Sequence, residues 1–261
     1  MSAAGRDDLL AARQVLIPGI IGGLGPYAHV EFERLLIEEN TRAGAHRDQD
    51  HPVWLLASAS SVPDRTAHLV GGAEDFVPRL QSFARLLEKA GADFLVVPCN
   101  TSHSVRTRVL AHVNIPWVDL IAVVCDAVAD RCERGARVGI LQTSGAARGG
   151  MYVRDLAERG LRPLALEAID EAAQERLMAA IYDPAEGIKA TGTHVSERAT
   201  STVVESCRIL RSRGAEVVIS GCTELSAALE DMASPPLTWI DPMRFYAQTT
   251  LDVAYGRRSP V

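Results

Sequence analysis

Residues 85–101 read RLLEKAGADFLVVPCNT, and residues 208–223 read RILRSRGAEVVISGCT. Aligned at one constant offset, the two stretches agree at Arg85 and Arg208, Leu87 and Leu210, Gly91 and Gly214, Ala92 and Ala215, and Cys99 and Cys222. Each copy predicts the end of an amphipathic helix, a glycine turn, a buried strand and then a cysteine that opens a polar loop. A cysteine placed in the same way in both halves of a chain predicts a site in which two thiols face each other.

Two further matches extend this repeat toward both ends of the chain. Gly19-Ile20-Ile21 recurs as Gly139-Ile140-Leu141, and Trp117-Val118-Asp119 recurs as Trp239-Ile240-Asp241, at nearly the same offset. Because self-similarity at one fixed spacing marks a duplicated structural unit, the sequence predicts two homologous lobes.

Continuous apolar runs alternate with segments of helical period along the chain. The runs cover 15–21, 53–57, 94–98, 115–118, 138–141, 163–169, 217–220 and 237–240. The helical segments cover 28–40, 74–90, 102–112, 119–134, 147–159, 171–182, 194–213 and 224–232. Runs that are apolar on both faces are typical of parallel strands, and their alternation with helices predicts an α/β fold. We expect two pseudo-symmetric lobes, each a parallel-sheet α/β domain with flanking helices. Lobe 1 would comprise residues 15–115 plus 239–261, and lobe 2 residues 116–238.

Composition narrows the functional classes. The chain has 261 residues, of which 47% are hydrophobic and 23% charged, with a formal net charge of −6. The acidic balance without a basic patch argues against nucleic-acid binding, and no apolar run is long enough to span a membrane. The start, MSAAGRDDLLAARQ, lacks an apolar signal core and is expected to be a polar lead-in. With five cysteines and no metal-type CxxC spacing, reduced thiols in the cytoplasm are the expectation.

The five cysteines divide into two groups. Cys125, Cys132 and Cys207 lie within helical patterns and are expected to be small buried hydrophobes. Cys99 and Cys222 instead end strands, where the active groups of α/β sheets collect. A helix that begins just after each of them is expected to lower the thiol pKa through its N-terminal dipole. Two opposed acid/base groups are what stereoinversion at carbon requires.

Seven short motifs then resemble the aspartate/glutamate racemase family, in order and spacing, from about residue 15 to about residue 255. They are IIGGLGP (20–26), RDQDHP (47–52), VPDRT (62–66), GGAEDF (71–76), PCNTSH (98–103), GCTE (221–224) and IDPM (240–243). The resemblance implies a two-lobe fold with an amino-acid substrate in the cleft between the lobes. It also implies cofactor-independent racemisation of L- and D-aspartate or glutamate, in which one cysteine thiolate removes the α-proton and the other thiol delivers a proton. No metal, pyridoxal phosphate or nucleotide is expected, and the reading is compatible with a homodimer.

The resemblance also implies substrate contacts. Arg47 and Lys189 match positions that contact a side-chain carboxylate, although both are also residue types that commonly lie on the surface. Asn100, Thr101 and Thr223 adjoin the cysteines and offer donors to the enediolate that develops during proton removal, or else cap helices.

A glycine turn precedes the first helical segment. Gly22, Gly23 and Gly25 do not have dinucleotide-binding spacing, and Pro26 opens the helix. We expect the N–H groups of this turn, including that of Gly23, to hold a substrate carboxylate.

Three other assignments concern charged or titratable side chains. Asp64 and Arg65 are expected to fasten their loop as an ion pair. His103 either tunes Cys99 or packs in the core, and His29 is expected at the surface.

Four positions depart from the family pattern and leave the substrate open: His29, Ala59, Ser60 and Ala146. One alternative is therefore a related superfamily enzyme that racemises or isomerises a different carboxylic acid. The other is a non-catalytic amino-acid-binding protein. Because both cysteines are present, racemisation is favoured over chemistry that needs a single thiol.

Overall fold

The first half of the chain builds a parallel sheet whose strands end at the predicted site. In the computed structural model, which describes residues 15–192, 194–230 and 235–260, β1 (Pro18–Gly22) lies between β2 (Leu55–Ser58) and β3 (Phe94–Val96). The predicted strand at 115–118 is only an isolated parallel bridge between Leu95 and Trp117. Pro116 has no N–H to donate, and the chain turns into a helix soon afterwards, so the ladder does not extend. The predicted lead-in at 1–14 lies outside the described residues.

The second half repeats this arrangement in a four-stranded parallel sheet with the order β5-β4-β6-β7. Its strands are β4 (Arg137–Gln142), β5 (Arg162–Ala165), β6 (Val217–Gly221) and β7 (Thr238–Ile240). In the first sheet β1 pairs with β2 on one side and β3 on the other, and in the second sheet β4 pairs in the same way with β5 and β6. The two-lobe α/β fold is therefore confirmed. β7 pairs with β6 across the expected boundary at 238 and 239, and the lobe limits themselves stay a prediction.

Helices flank both sheets. They are α1 (Pro26–Arg42), α2 (Arg65–Val70), α3 (Val77–Lys89), α4 (Arg106–Leu110), α5 (Leu120–Ala129), α6 (Ser144–Gly149), α7 (Met151–Glu158), α8 (Leu166–Ile169), α9 (Glu171–Tyr182), α10 (Ile188–Thr191), α11 (Glu197–Ser212), α12 (Thr223–Glu230) and α13 (Pro242–Ala254). Short 3₁₀ helices cover Asp48–Asp50 and Asn100–Val105. None of the helices in the described part of the chain has the length and apolar character needed to cross a lipid bilayer.

Several elements differ from the sequence prediction for local reasons. The helix expected at 147–159 is divided into α6 and α7, because Gly150 adopts a left-handed conformation with φ 57°. The run at 163–169 is a strand only as far as Ala165 and then becomes α8. The segment 102–112 begins as a 3₁₀ helix before α4. The helix α13 was missed, although Asp241 caps it and Pro242 opens it.

The last helix fixes the strand that carries the first cysteine. Tyr246 on α13 is fully buried, and its hydroxyl donates to the Val118 carbonyl at 2.7 Å. The same hydroxyl accepts from the Val97 N–H at 3.1 Å. Because Val97 lies two residues before Cys99, α13 holds the end of β3 in place.

Candidate active site

The two repeated cysteines meet in one pocket. Cys99 follows β3, Cys222 follows β6, and both are buried. The cavity between them is small, about 10 Å³. Its lining consists of the two cysteines with Leu24, Arg65, Thr66, Asn100, Thr101, Thr143, Tyr182, Lys189, Thr223 and Glu224. Both halves of the chain therefore contribute to it, and the polar groups gather around the thiols.

Cys222 lies against a carboxylate. Its Sγ donates to Glu224 Oε2 at 3.0 Å, and the Thr223 hydroxyl donates to the same oxygen at 3.1 Å. Burial and the negative charge of Glu224 raise the pKa of the Cys222 thiol well above its ordinary value, while Lys189 opposes them. The expected lowering of this pKa by the α12 N-terminus is therefore wrong, because burial and the adjacent carboxylate outweigh the helix dipole.

Lys189 forms an ion pair with Glu224 inside the pocket. Its ammonium also lies 5.5 Å from the centre of the Tyr182 ring. Although burial opposes the charge, Glu224 and Cys222 raise the pKa of Lys189 above its ordinary value. Burial also opposes the charge on Glu224, yet Lys189 and Cys222 lower the pKa of this carboxyl. A Cβ on Gly25 would lie 2.7 Å from Glu224 Oε1, so glycine at this position leaves room for the pair.

Arg65 lies on the other side of the pocket, next to Cys99. Its guanidinium donates to the Leu24 carbonyl at 2.5 Å and to the Pro63 carbonyl at 3.3 Å. The buried Nε has no hydrogen-bond partner in the protein. Burial opposes the charge, but Cys99 and Asp64 raise the pKa of Arg65 above its ordinary value. The expected Asp64–Arg65 ion pair is wrong, since Asp64 caps α2 by accepting from the Ala67 N–H at 2.6 Å.

Asn100 presents a free donor beside Cys99. It is 3% exposed, and its Oδ1 accepts from the Tyr152 hydroxyl at 2.6 Å. This contact fixes the amide and leaves the buried Nδ2 with no partner in the protein. An unpaired buried N–H₂ group in a pocket wall is costly unless a ligand accepts from it. The side chain is therefore suited to bind a carboxylate or an enediolate oxygen.

The threonines link the two halves of the pocket. The Thr101 and Thr143 hydroxyls lie 3.0 Å apart, and Thr143 also caps α6 by accepting from the Ala146 N–H. Thr223 lines the pocket through the contact with Glu224 described above. Six of the predicted site residues therefore line one pocket. They are Cys99, Asn100, Thr101, Lys189, Cys222 and Thr223.

Arg47 and Gly23 do not line this pocket. The Arg47 side chain is 70% exposed and pairs with Asp50, with Nη2 to Oδ1 at 2.9 Å. The Gly23 N–H donates to His29 Nδ1 at 3.1 Å, which makes this donor unavailable to a carboxylate in this arrangement. Direct contact of Arg47 or Gly23 with a substrate remains a prediction, and the positions of these two residues do not support it.

Two histidines have structural contacts. His29 is buried rather than exposed as expected, because its ring packs against the glycine turn and accepts from Gly23. His103 Nε2 lies 3.1 Å from the Val97 carbonyl, and the ring packs edge-on against Trp117. Of the two roles considered for His103, core packing is the one that these contacts fit.

Six residues of the pocket were not assigned a substrate or catalytic role from the sequence: Leu24, Arg65, Thr66, Thr143, Tyr182 and Glu224. Arg65 and Glu224 fall within motifs that carried the family resemblance, VPDRT and GCTE. In the sequence, the only indication of a role for Arg65 and Glu224 was that each lies in a family motif, and Glu224 is two residues after Cys222. The contacts that give them a role depend on the packing of both halves, which spacing alone does not reveal.

Comparisons with known proteins agree with this architecture. The model of the Asp/Glu/Hydantoin racemase family matches residues 21–250. The chain is 24% identical to the broad specificity amino-acid racemase RacX of Bacillus subtilis (strain 168), over 92% of this chain and 99% of that protein. It is 28% identical to the glutamate racemase of Desulforudis audaxviator (strain MP104C), over 68% of this chain and 63% of that protein.

A solved structure shows the same fold. Picrophilus torridus aspartate racemase superposes with a TM-score of 0.73 at 22% identity, covering 93% of this chain and 95% of that one. The family model covers most of the chain, and the pocket lies within the matched range, as do the motifs and both sheets from Ile21 onward. The chain therefore belongs to the Asp/Glu/Hydantoin racemase family, a family of isomerases.

Proposed function

We propose that this protein is a cofactor-independent amino-acid racemase in which Cys99 and Cys222 exchange protons with the substrate Cα. The observation that carries the proposal is the convergence of both strand-end cysteines on one pocket. One thiolate takes the α-proton, and the C–H electron pair remains on the substrate as an enediolate. The opposite thiol then delivers a proton to the other face of Cα, and its sulfur keeps the electron pair.

The neighbours of the cysteines fit the demands of this chemistry. An α-proton next to a carboxylate is very weakly acidic, so the developing enediolate needs donors already aimed at it. The unpaired Nδ2 of Asn100 and the unpaired Nε of Arg65 are buried donors on the Cys99 side. Thr101 and Thr223 add hydroxyls and backbone N–H groups at the starts of the following helices. No step requires a pyridine cofactor, a nucleotide or a metal.

The first candidate is a racemase that prefers aspartate or glutamate as its substrate. Lys189 is one of two cations in the pocket, with Arg65, and it can receive a side-chain carboxylate. The names of the relatives include aspartate and glutamate racemases. A dicarboxylate would have to share Lys189 with Glu224, which already neutralises it.

This neutralisation favours a second candidate, a racemase with a broader range of amino acids. The ion pair leaves no unpaired Lys189 charge to demand a second carboxylate, and Arg47 pairs with Asp50 outside the pocket. The relative RacX is named as a broad specificity racemase. The cytoplasmic location and a homodimer remain part of the proposal for either candidate.

Solvent deuterium exchange at Cα tests both candidates. Purified protein is incubated in D₂O with single D- and L-amino acids, and isotope incorporation is followed by mass spectrometry while chirality is followed by chromatography. Preference for aspartate or glutamate over alanine and asparagine by about tenfold or more supports the dicarboxylate version. Equal rates across the panel support the broad version. Exchange with none of them would contradict the racemase proposal and favour the binding protein.

Variants of the thiols test the mechanism itself. Cys99→Ala and Cys222→Ala are each expected to reduce racemisation in both directions by about 10²–10⁴-fold or more, because inversion needs an acid and a base on opposite faces. Either variant is expected to keep exchange with one enantiomer. Cys132→Ala, a thiol outside the pocket, is the matched control and should leave both rates unchanged. A single pocket variant that racemises at the original rate would remove the two-thiol mechanism.

A further inference from the structure

The 3₁₀ helix Asn100–Val105 lines two separate cavities. Its first residues line the catalytic pocket, and Ser104 lines a second cavity that has no lining residue in common with the first. The second cavity has a volume of about 360 Å³. Sites that bind small molecules commonly have volumes of about 300–1,000 Å³. The walls of this cavity carry two pairs of opposite charge, which are Arg106 with Asp119 and Arg154 with Asp155.

The first pair, Arg106 and Asp119, is occupied by contacts within the protein. Arg106 Nε lies 3.2 Å from Asp119 Oδ2, and Arg106 Nη1 donates to the Trp117 carbonyl at 3.1 Å. Asp119 also caps α5 by accepting from the Ile121 N–H at 3.0 Å. Because both charges are hydrogen-bonded in this way, the pair forms a neutral part of the wall.

The second pair, Arg154 and Asp155 on α7, is only loosely engaged. Arg154 Nε lies 3.9 Å from Asp155 Oδ1, and Arg159 Nη1 lies 3.8 Å from Asp155 Oδ2. Both distances are too long for hydrogen bonds, and the Nε of Arg159 pairs with Asp126 at 2.8 Å. The Asp155 side chain is 21% exposed, and burial raises the pKa of its carboxyl above the ordinary value. A cation that donates directly to this carboxylate would offset the cost of burial.

From this arrangement we infer that the second cavity binds a free α-amino acid, with Arg154 holding its carboxylate and Asp155 holding its ammonium group. A guanidinium can grip a carboxylate with two parallel hydrogen bonds, and an ammonium group offers three donors to a carboxylate. A ligand with only a negative charge would meet Asp155, and one with only a positive charge would meet Arg154. A zwitterion satisfies both members of the pair. The inference goes beyond the proposed function, because it concerns binding at residues that take no part in the reaction.

The elements that form this second site also hold the catalytic amide. Tyr152, two residues before Arg154 on α7, donates to Asn100 Oδ1 at 2.6 Å. The Ser104 hydroxyl donates to the Thr101 carbonyl at 2.8 Å. A ligand held by α7 is therefore attached to the same helix that fixes Asn100 in the catalytic pocket.

A nuclear magnetic resonance titration of the isotope-labelled full-length protein tests this site without any turnover. The probe is α-aminoisobutyrate, an α-amino acid that has no α-proton and cannot be racemised. Isobutyrate and isopropylamine are the matched control ligands, since each keeps only one of its two charges. We expect saturable shifts of the backbone amide signals of α7, with an affinity for the probe about tenfold or more above that for either control, because each control lacks one set of charge-assisted hydrogen bonds.

Substitutions on α7 should separate the two halves of the ligand. Asp155→Asn should weaken binding of α-aminoisobutyrate about tenfold or more without weakening that of isobutyrate. Arg154→Gln should weaken binding of both. Glu158→Gln, at an exposed glutamate of α7 that does not line the cavity, is the matched control and should change neither affinity. Because Arg154 is 61% exposed, its variant gives the test even if Asp155→Asn disturbs the helix.

The outcomes distinguish this inference from the racemase proposal. Equal affinities for α-aminoisobutyrate and isobutyrate would indicate a plain anion site and overturn the inference. It would also be overturned if α7 signals did not respond to the probe, or if Arg154→Gln bound the probe as tightly as the wild type. Saturable α7 shifts in a protein that shows no α-proton exchange would support the second site while the racemase proposal fails.

Discussion

At the scale of single residues, Asn100 shows how a hydrogen bond to one end of an amide reserves the other end. The Tyr152 hydroxyl occupies Oδ1 and leaves Nδ2 as a buried donor in the pocket wall. We expect Asn100→Ala to lower kcat about 10²–10³-fold, the effect of removing one donor from a site that stabilises an oxyanion. Steady-state racemisation with the best substrate of the panel measures it.

Tyr152→Phe is the companion change, since it removes the hydroxyl but keeps the ring. The amide is then free to rotate, and a single neutral hydrogen bond is worth about 0.5–1.5 kcal/mol, so the loss in kcat should be about tenfold or less. An Asn100→Ala enzyme that is as active as Tyr152→Phe would show that Nδ2 does not act on the substrate.

The sequence revealed the chemistry of this site better than its electrostatics. Cys99 and Cys222 were found because the repeat places both at strand ends, and Asn100, Thr101 and Thr223 follow them directly. The partners of the thiols were not found, because the Arg65–Cys99 and Lys189–Glu224 contacts join segments that are far apart in the chain. The sequence also predicted that the α12 dipole would lower the pKa of Cys222. This prediction was wrong, because burial and the charge of Glu224 raise that pKa.

At the scale of elements, α2 and α6 make a close contact between the two halves beside the pocket. A Cβ on Gly145 would lie 2.7 Å from Cα of Thr66, which is backbone and cannot move away as a flexible side chain could. Thr66 lines the pocket and accepts from the Tyr182 hydroxyl at 3.2 Å. Gly145→Ala should therefore push the helices apart and destabilise the protein by about 1–3 kcal/mol, the usual cost of overpacking.

Urea unfolding and racemisation assays of this variant measure both consequences of the contact. Gly149→Ala is the matched control, because it lies on the same helix and its Cβ would meet side-chain atoms no closer than 3.3 Å. Because alanine favours helix over glycine, the control should be neutral or slightly stabilising. Equal stability of the two variants would mean that α2 and α6 can separate without cost.

Element types were more predictable than element limits. The helix predicted at 171–182 matches α9 at both ends, where Asp170 provides the N-cap. The divided helix at 147–159 was not foreseen, since a glycine such as Gly150 can either continue a helix or adopt a positive φ, and neighbouring packing selects between them. The strand reduced to one bridge at Trp117 shows the limit imposed by an adjacent proline.

At the scale of the whole molecule, the last helix, α13, packs against the first helix, α1. Glu39 on α1 is buried, and it accepts from Arg244 at 2.6 Å and from Gln248 at 2.9 Å. Burial alone would raise the pKa of this carboxyl, but the hydrogen bonds from Gln248 and Arg244 and the charge of Arg42 lower it overall. A carboxyl whose pKa is lower in the folded state stabilises the fold above its ordinary pKa, and this contribution is lost as the pH falls.

We therefore expect Glu39→Gln to lower the free energy of unfolding at pH 7 by about 1.5–3 kcal/mol, the range for hydrogen bonds to charged groups. The difference from the wild type should shrink as the pH drops below 4.5, the ordinary pKa of the carboxyl, and passes through the lowered folded value. Urea unfolding curves at a series of pH values measure both effects. Glu38→Gln, at the adjacent and more exposed glutamate, should change stability by about 1 kcal/mol or less, as is usual for surface pairs. A Glu39→Gln penalty that stays constant from pH 7 to acid would show that the side chain acts by packing and that its charge does not hold α13 in place.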